Sequence, residues 1–177
     1  VCLGIFFSFQ NSRESNDIIY SVLLPIAKKE VVTARFIFVE FIQIISLLFM
    51  LGFTLFRMTV LKDSNVYLTN PLQNANLFFI SYVVLIFMFF NLIFVRGFFS
   101  TGYYFAKPFI FFIVISMLIV LFSEVIHYFP GMEYLSETGF VHKKEQIMFF
   151  CISLTIYVII TIGSCKFAQK KFEKIDL

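Results

Sequence analysis

Four long apolar stretches divide the chain, each bounded by polar and charged residues. Phe36 to Phe56 is the first, with Glu40 and Gln43 near its start. Leu77 to Val95 is the second, interrupted only by Ser81, Tyr82 and Asn91. Phe109 to Ile126 is the third, with Glu124 near its end, and Ile147 to Cys165 is the fourth, carrying Ser153, Thr155, Tyr157 and Thr161. A membrane span needs about 20 mainly apolar residues, because a helix rises about 1.5 Å per residue against about 30 Å of hydrocarbon. The runs are continuous, whereas a barrel strand alternates apolar and polar positions, so helices are predicted. Val1 to Phe9 is apolar but too short to cross, and it lacks the basic region of a signal peptide. It reads as the end of an earlier span, and the natural N-terminus is expected upstream. The expected fold is all-α: a polytopic transmembrane helical bundle with four full spans and the end of another.

Composition agrees with this pattern. Of 177 residues, 60% are hydrophobic and only 14% charged, and mean hydropathy is +0.91. A soluble domain is about a quarter charged and would expose large sticky patches at this composition. The 28 phenylalanines, with no tryptophan, fit either AT-rich codon usage, as in a low-GC bacterium, or the tolerance of lipid-facing helices for Phe.

Charge placement adds an orientation. One set of alternate connections carries Arg13, Lys28, Lys29, Arg35, Arg96, Lys107, Lys166, Lys170, Lys171 and Lys174. The other carries only Arg57, Lys62, Lys143 and Lys144. The positive-inside rule puts the richer set in the cytoplasm. The segment from Gln10 to Arg35, the Arg96 to Lys107 turn and the C-terminus are then expected inside. The net charge of +3 is spent on these flanks, so it gives no reason to expect a nucleic acid partner. The outer connections hold turn signals (Asp63, Asn65, Asn70-Pro71, Pro130-Gly131, Gly139) and three aromatics suited to the headgroup layer, Tyr128, Phe129 and Tyr134.

Candidate chemistry is sparse. The sequence has no GxxxxGK[ST], no GxSxG and no HExxH. Glu124 and His127 share a helix face at i and i+3, but a carboxylate-bridged metal site needs several such pairs; a helix end meeting headgroups is the better account. Cys2, Cys151 and Cys165 lie in or beside apolar segments, are odd in number and form no CxxC, so buried thiols are expected rather than disulfides or zinc. Gly52, Gly163 and the Ser and Thr residues of the fourth span suit close helix packing. Glu40 is the most costly residue, since a charge at mid-span is disfavoured by roughly 2.5–3.5 kcal/mol on insertion scales. It either reaches the inner interface and a basic partner, packs with Gln43 in a polar stripe, or lines a transport path. Asn91 joins Glu40 and Gln43 as a candidate for pathway or packing.

The segment between Arg13 and Arg35 carries the most information. Ser15, Asn16 or Asp17 can cap a short helix. Ile18, Ile19, Val22 and Leu23 then form an apolar patch at helical spacing. Pro25 forces Leu24 out of helical geometry, and a second helix can begin near Ala27 and run into the first full span. The element is therefore an amphipathic helix at the inner face, hinged at Pro25. It serves either as an interfacial anchor or as a lever moved by another protein.

This stretch resembles the region after the second span in small bacterial ATP-binding-cassette permeases of the type-two exporter class. Asp17, Tyr20, Leu24, Pro25, Lys28, Lys29, Val31, Val32 and Arg35 carry the resemblance. It implies a single permease domain over residues 1–177 that supplies the end of the second span and the third to sixth of six. It further implies two permease subunits, identical or different, with separate P-loop ATPase subunits that bind ATP and Mg²⁺. The helix before Pro25 would be the coupling helix, contacting the ATPase through Asp17, Tyr20, Leu24, Pro25, Lys28, Lys29 and Arg35. The chain itself would hold no cofactor and catalyse no reaction; it would sit in the bacterial cytoplasmic membrane and drive efflux. A non-transporting scaffold or channel subunit is the alternative, and a membrane-embedded enzyme is weaker because Glu40, Glu124 and two scattered histidines are all it could use.

Overall fold

The computed structural model describes residues 1–23, 25–61, 72–101, 104–126, 128–137 and 142–175, without the side chains at 18, 19 and 22. Leu24, His127, Gly139 and the turn signals Asp63, Asn65, Asn70 and Pro71 lie outside the described residues, as do the side chains of Ile18, Ile19 and Val22 from the expected apolar patch. Among the described residues six α-helices follow one another: α1 Cys2–Glu14, α2 Asp17–Leu23, α3 Lys28–Thr59, α4 Leu77–Ser100, α5 Ala106–Ile126 and α6 Lys143–Phe172. A single 3₁₀ turn, Glu133–Ser136, precedes α6, and no strand occurs among the described residues. Helices α3 to α6 are each long and apolar enough to cross a membrane.

The helices outrun the apolar stretches that announce them. Lys, Glu, Ala and Gln dominate the flanks of α3 and α6, and these are good helix formers. The Arg96 to Lys107 segment, expected as a turn, is helical through Ser100, and helix resumes at Ala106. At the other end of the chain, α1 closes where Ser15 donates its amide and its hydroxyl to the Asn11 carbonyl, each at 2.9 Å. Asn16 then adopts φ 53°, a left-handed conformation that asparagine tolerates better than most residues. Its carbonyl accepts the Tyr20 amide at 3.1 Å and so starts α2. Beyond Pro25, Ala27 is extended and α3 begins at Lys28.

Helix α4 is the centre of the bundle. It packs against α3, α5 and α6, and α3 also meets α6. In its most apolar window 61% of residues are buried, against 17% in α3 and α5 and 22% in α6. The outer three helices therefore turn most of their apolar surface to lipid. In the second half of α4, from Phe90 on, the buried residues fall in two rows four apart, Phe90, Phe94, Phe98 and Asn91, Val95, Phe99. In an α-helix of 3.6 residues per turn such a row drifts around the axis by about 40° per step. The Phe90–Val95 segment is wound as π-helix, and its wider turn takes up that drift, keeping both rows on the buried side.

The largest core lies toward the Lys- and Arg-rich end, where Phe9 of α1, Phe36 of α3, Phe94 and Phe98 of α4, Phe109 of α5 and Phe172 of α6 meet. Rings interlock edge to face, as in Phe9–Phe98 at 4.8 Å and Phe99–Phe172 at 5.4 Å between centroids. Hydrocarbon outside is as apolar as this core, so close packing and ring geometry stabilise it rather than escape from water. Phenylalanine richness is thus partly a property of the core and not only of codon usage or lipid-facing surface.

Two expectations are overturned. None of the three thiols is buried: Cys2 and Cys165 are half-buried and Cys151 is exposed on α6. Gly52 and Gly163 meet nothing within 4 Å of an added Cβ, so neither makes close helix packing within this chain. That role belongs to Gly97 of α4, where a Cβ would lie 2.9 Å from Cβ and Cγ of Pro108 on α5.

At the opposite end, residues 72–76 and 132–137 cap the bundle. Buried Asn76 caps α4 by accepting the Phe79 amide at 2.9 Å, and its Nδ2 donates to the carbonyls of Leu135 at 2.7 Å and Glu137 at 3.0 Å. Glu124 accepts the Gln73 amide at 2.9 Å. Tyr128 and Phe129 are exposed.

Candidate functional site

Polar groups in a span must find partners inside the protein, because lipid offers none. The described structure gathers several of its buried ones at one level where α3, α4 and α6 meet. Asn91 is fully buried, Gln43 is 1% exposed, and Tyr157 and Thr161 are each 8% exposed. Glu40 and Gln43 reach this level from one face of α3 at i and i+3, and Tyr157 and Thr161 from one face of α6 at i and i+4. Asn91 enters from the π-wound part of α4, a local geometry that often marks functional sites.

Asn91 holds the group together. Its Oδ1 accepts from Gln43 Nε2 at 3.0 Å. Its Nδ2 lies 2.7 Å from Glu40 Oε1, 3.1 Å from Gln43 Oε1 and 3.1 Å from Thr161 Oγ1. An amide nitrogen has two protons for these three acceptors. The Tyr157 hydroxyl donates to the Glu40 carboxylate and also lies 2.8 Å from Gln43 Oε1, with one proton for both. Asn91 Nδ2 and the Tyr157 hydroxyl thus have five acceptor contacts for three protons, and the same atoms support more than one pattern of bonds without moving a helix. Glu40 takes two of these donors, Asn91 Nδ2 at Oε1 and the Tyr157 hydroxyl at Oε2.

Glu40 does not behave as an interfacial snorkel. Among the described residues no Lys or Arg pairs with it. Arg35, one turn away, is engaged elsewhere: it binds Asp17 of α2 and donates to Ser12 Oγ of α1 at 2.8 Å. Arg35 thus joins α1, α2 and α3, while Glu40 and Gln43 on the same helix join α4 and α6. Glu40, Gln43 and Asn91 were legible as candidates; Tyr157 and Thr161 were visible only as polar positions of the fourth span, and their signal was the shared helix face.

The candidates around Pro25 form a second region at the basic end. Tyr20 and Leu23 are 66% and 77% exposed, and Pro25 and Lys29 are exposed. Val31 and Val32 are buried. Lys28 Nζ donates to the Ile175 carbonyl at 2.7 Å, and Gln169 Nε2 to Thr33 Oγ1 at 2.8 Å, so the start of α3 is tied to the end of α6. Arg96 lies over the Phe167 ring at 3.8 Å, which ties α4 to the same end of α6. Asp17, Lys28 and Arg35 therefore hold the element in place, whereas Tyr20, Pro25 and Lys29 present it outward.

A family model described as ABC-2 family transporter protein matches residues 1–173. Comparison with curated proteins and with solved structures gives no match.

Proposed function

We propose that this chain, which belongs to the ABC-2 family of transporter membrane proteins, is the permease subunit of an exporter and receives its driving force through α2. In this reading the basic end faces the cytoplasm, a separate P-loop ATPase docks on Tyr20, Leu24, Pro25 and Lys29, and a second permease subunit completes the pathway. The observation that carries the reading is the joint at Arg35. A force on α2 acts through Asp17 on Arg35, and Arg35 stands five residues before Glu40 on one rigid helix. Five residues is about 7.5 Å of α-helix, so displacement of α2 arrives at the polar cluster almost undiminished. There the excess of contacts over protons at Asn91 Nδ2 and the Tyr157 hydroxyl allows α3 to shift against α4 and α6 while bonds are exchanged rather than lost. Glu40, Gln43 and Asn91 would then serve as the switching contact of the span region.

Purification from detergent with the native operon partners tests the reading. A P-loop ATPase is expected to accompany the wild-type chain. Tyr20→Ala and Lys29→Glu are expected to weaken that association. Asp17→Ala is expected to preserve association but lower transport-linked ATP hydrolysis in reconstituted vesicles. Normal association and normal turnover in all three variants would leave α2 as an interfacial anchor and the chain as a scaffold candidate.

A further inference from the structure

A cavity lies away from the polar cluster, beneath the cap at the end opposite the basic residues. It has a volume of about 250 Å³, is lined by α4, α5, α6 and the 132–135 segment, and is open on one side. Phe78, Leu85, Ile126 and Phe149 are among its apolar wall residues. An engineered apolar cavity of about 150 Å³ already holds benzene, so this one is large enough for a substantial hydrocarbon.

Two polar groups in the wall lack partners. Tyr82 and Ser153 are 9% and 7% exposed, and among the described residues neither hydroxyl makes a hydrogen bond, although both residues line the space. Ser81, also in the wall, is satisfied by the Leu77 carbonyl at 3.0 Å. Tyr82 stands five residues into the second apolar stretch and Ser153 six into the fourth, or about 8 and 9 Å at 1.5 Å per residue. They therefore share a depth, near the middle of one leaflet's hydrocarbon. A water would need two to four polar partners and would leave most of the volume empty. Phe122 and Met132 line the space and are themselves 58% and 41% exposed, so its mouth opens on the flank of α5 that faces lipid.

We propose that this cavity binds one fatty-acyl chain, with the hydrocarbon among the aromatic and aliphatic side chains and an acyl oxygen bonded by Tyr82 and Ser153. The chain enters from the bilayer between Phe122 and Met132. Its source is either a membrane phospholipid or a free fatty acid, which share this chemistry.

Membranes from cells expressing the full chain would be photolabelled with a diazirine-bearing phospholipid and, separately, a diazirine-bearing fatty acid, and the labelled peptides mapped by mass spectrometry. Saturable labelling of the peptides holding Phe78 to Leu85 and Phe149 to Ser153 is expected with at least one probe, and the responding probe identifies the source. Exposed Phe41 of α3, which lines no cavity described for this chain, provides the unsaturable background. Ser153→Leu fills the space and should lower cavity labelling about tenfold, as for a methylene-scale misfit in an apolar pocket. Tyr82→Phe keeps the packing and should lower it about threefold by loss of one hydrogen bond. Labelling no more saturable than at Phe41, or unchanged in both variants, would overturn the proposal.

Discussion

Tyr157 of α6 donates its hydroxyl proton to the carboxylate of Glu40 on α3, across 117 positions of sequence. The bond is made inside the apolar part of both helices. Glu40 is thereby held by a neutral donor rather than by a cation. Removing the hydroxyl in Tyr157→Phe leaves the carboxylate with Asn91 as its remaining donor. Bonds between membrane helices average about 0.6 kcal/mol, and those to charged acceptors run to about 1.5–3 kcal/mol. The expected loss is therefore about 1–2 kcal/mol, read from reversible unfolding in detergent or bicelles. Glu40→Gln should cost less, because an amide oxygen can still accept from Tyr157. Equal stability of wild type and Tyr157→Phe would remove this bond from the account.

Asn91 should be the most sensitive member of the cluster. Asn91→Leu strands acceptors on Glu40 and Gln43 together, and its cost should exceed that of Tyr157→Phe. Hydrogen exchange supplies an independent reading. The amides of Phe90 to Val95 should lose protection in the variant if the side-chain bonds help hold the π-winding, whereas those of Phe78 to Val84 should keep it.

Gly97 faces Pro108 so closely that a Cβ would stand 2.9 Å from two proline carbons. Neither atom is the end of a flexible side chain, so relief requires α4 and α5 to move apart. Overpacking of this kind typically costs about 1–3 kcal/mol. Gly97→Ala should lower the melting temperature, while Gly52→Ala and Gly163→Ala, with open space around them, should be close to neutral. A Gly97→Ala protein as stable as the Gly52→Ala protein would contradict the contact.

The joint between α1 and α2 depends on the left-handed backbone at Asn16. A β-branched residue there pays the left-handed penalty of roughly 1–2 kcal/mol, whereas glycine does not. Asn16→Val should therefore expose the α1–α2 connection to limited proteolysis, and Asn16→Gly should leave it resistant. Similar cleavage in the two variants would show that the turn does not hold α2.

Arg35 can be separated into its two contacts. Arg35→Lys keeps a charge for Asp17 but lacks the planar, multi-donor head that also reaches Ser12. Ser12→Ala removes only the α1 contact. If motion of α2 is passed to α3 through Asp17, transport should fall steeply in Arg35→Ala, less in Arg35→Lys and little in Ser12→Ala. The reverse order would shift the role to α1.

The sequence alone determined that the chain is a bundle of membrane helices, because length and continuous apolarity are local quantities that need no neighbour to be read. It also marked the break between α2 and α3 around Pro25, since a proline interrupts a helix whatever the fold. Glu40 and Gln43 stood out for the same reason: their cost in lipid is a property of the residues themselves. Partnership was not local. Whether Glu40 meets Arg35 or Tyr157 depends on how α3, α4 and α6 rotate about their axes, and apolar periodicity is a poor guide to rotation when lipid and core are equally apolar. The same degeneracy hid which glycine permits close packing, which phenylalanines form the core and which serine lines a cavity. Only the tertiary structure decided these, by setting rigid helices against one another so that polar groups with no access to water found each other.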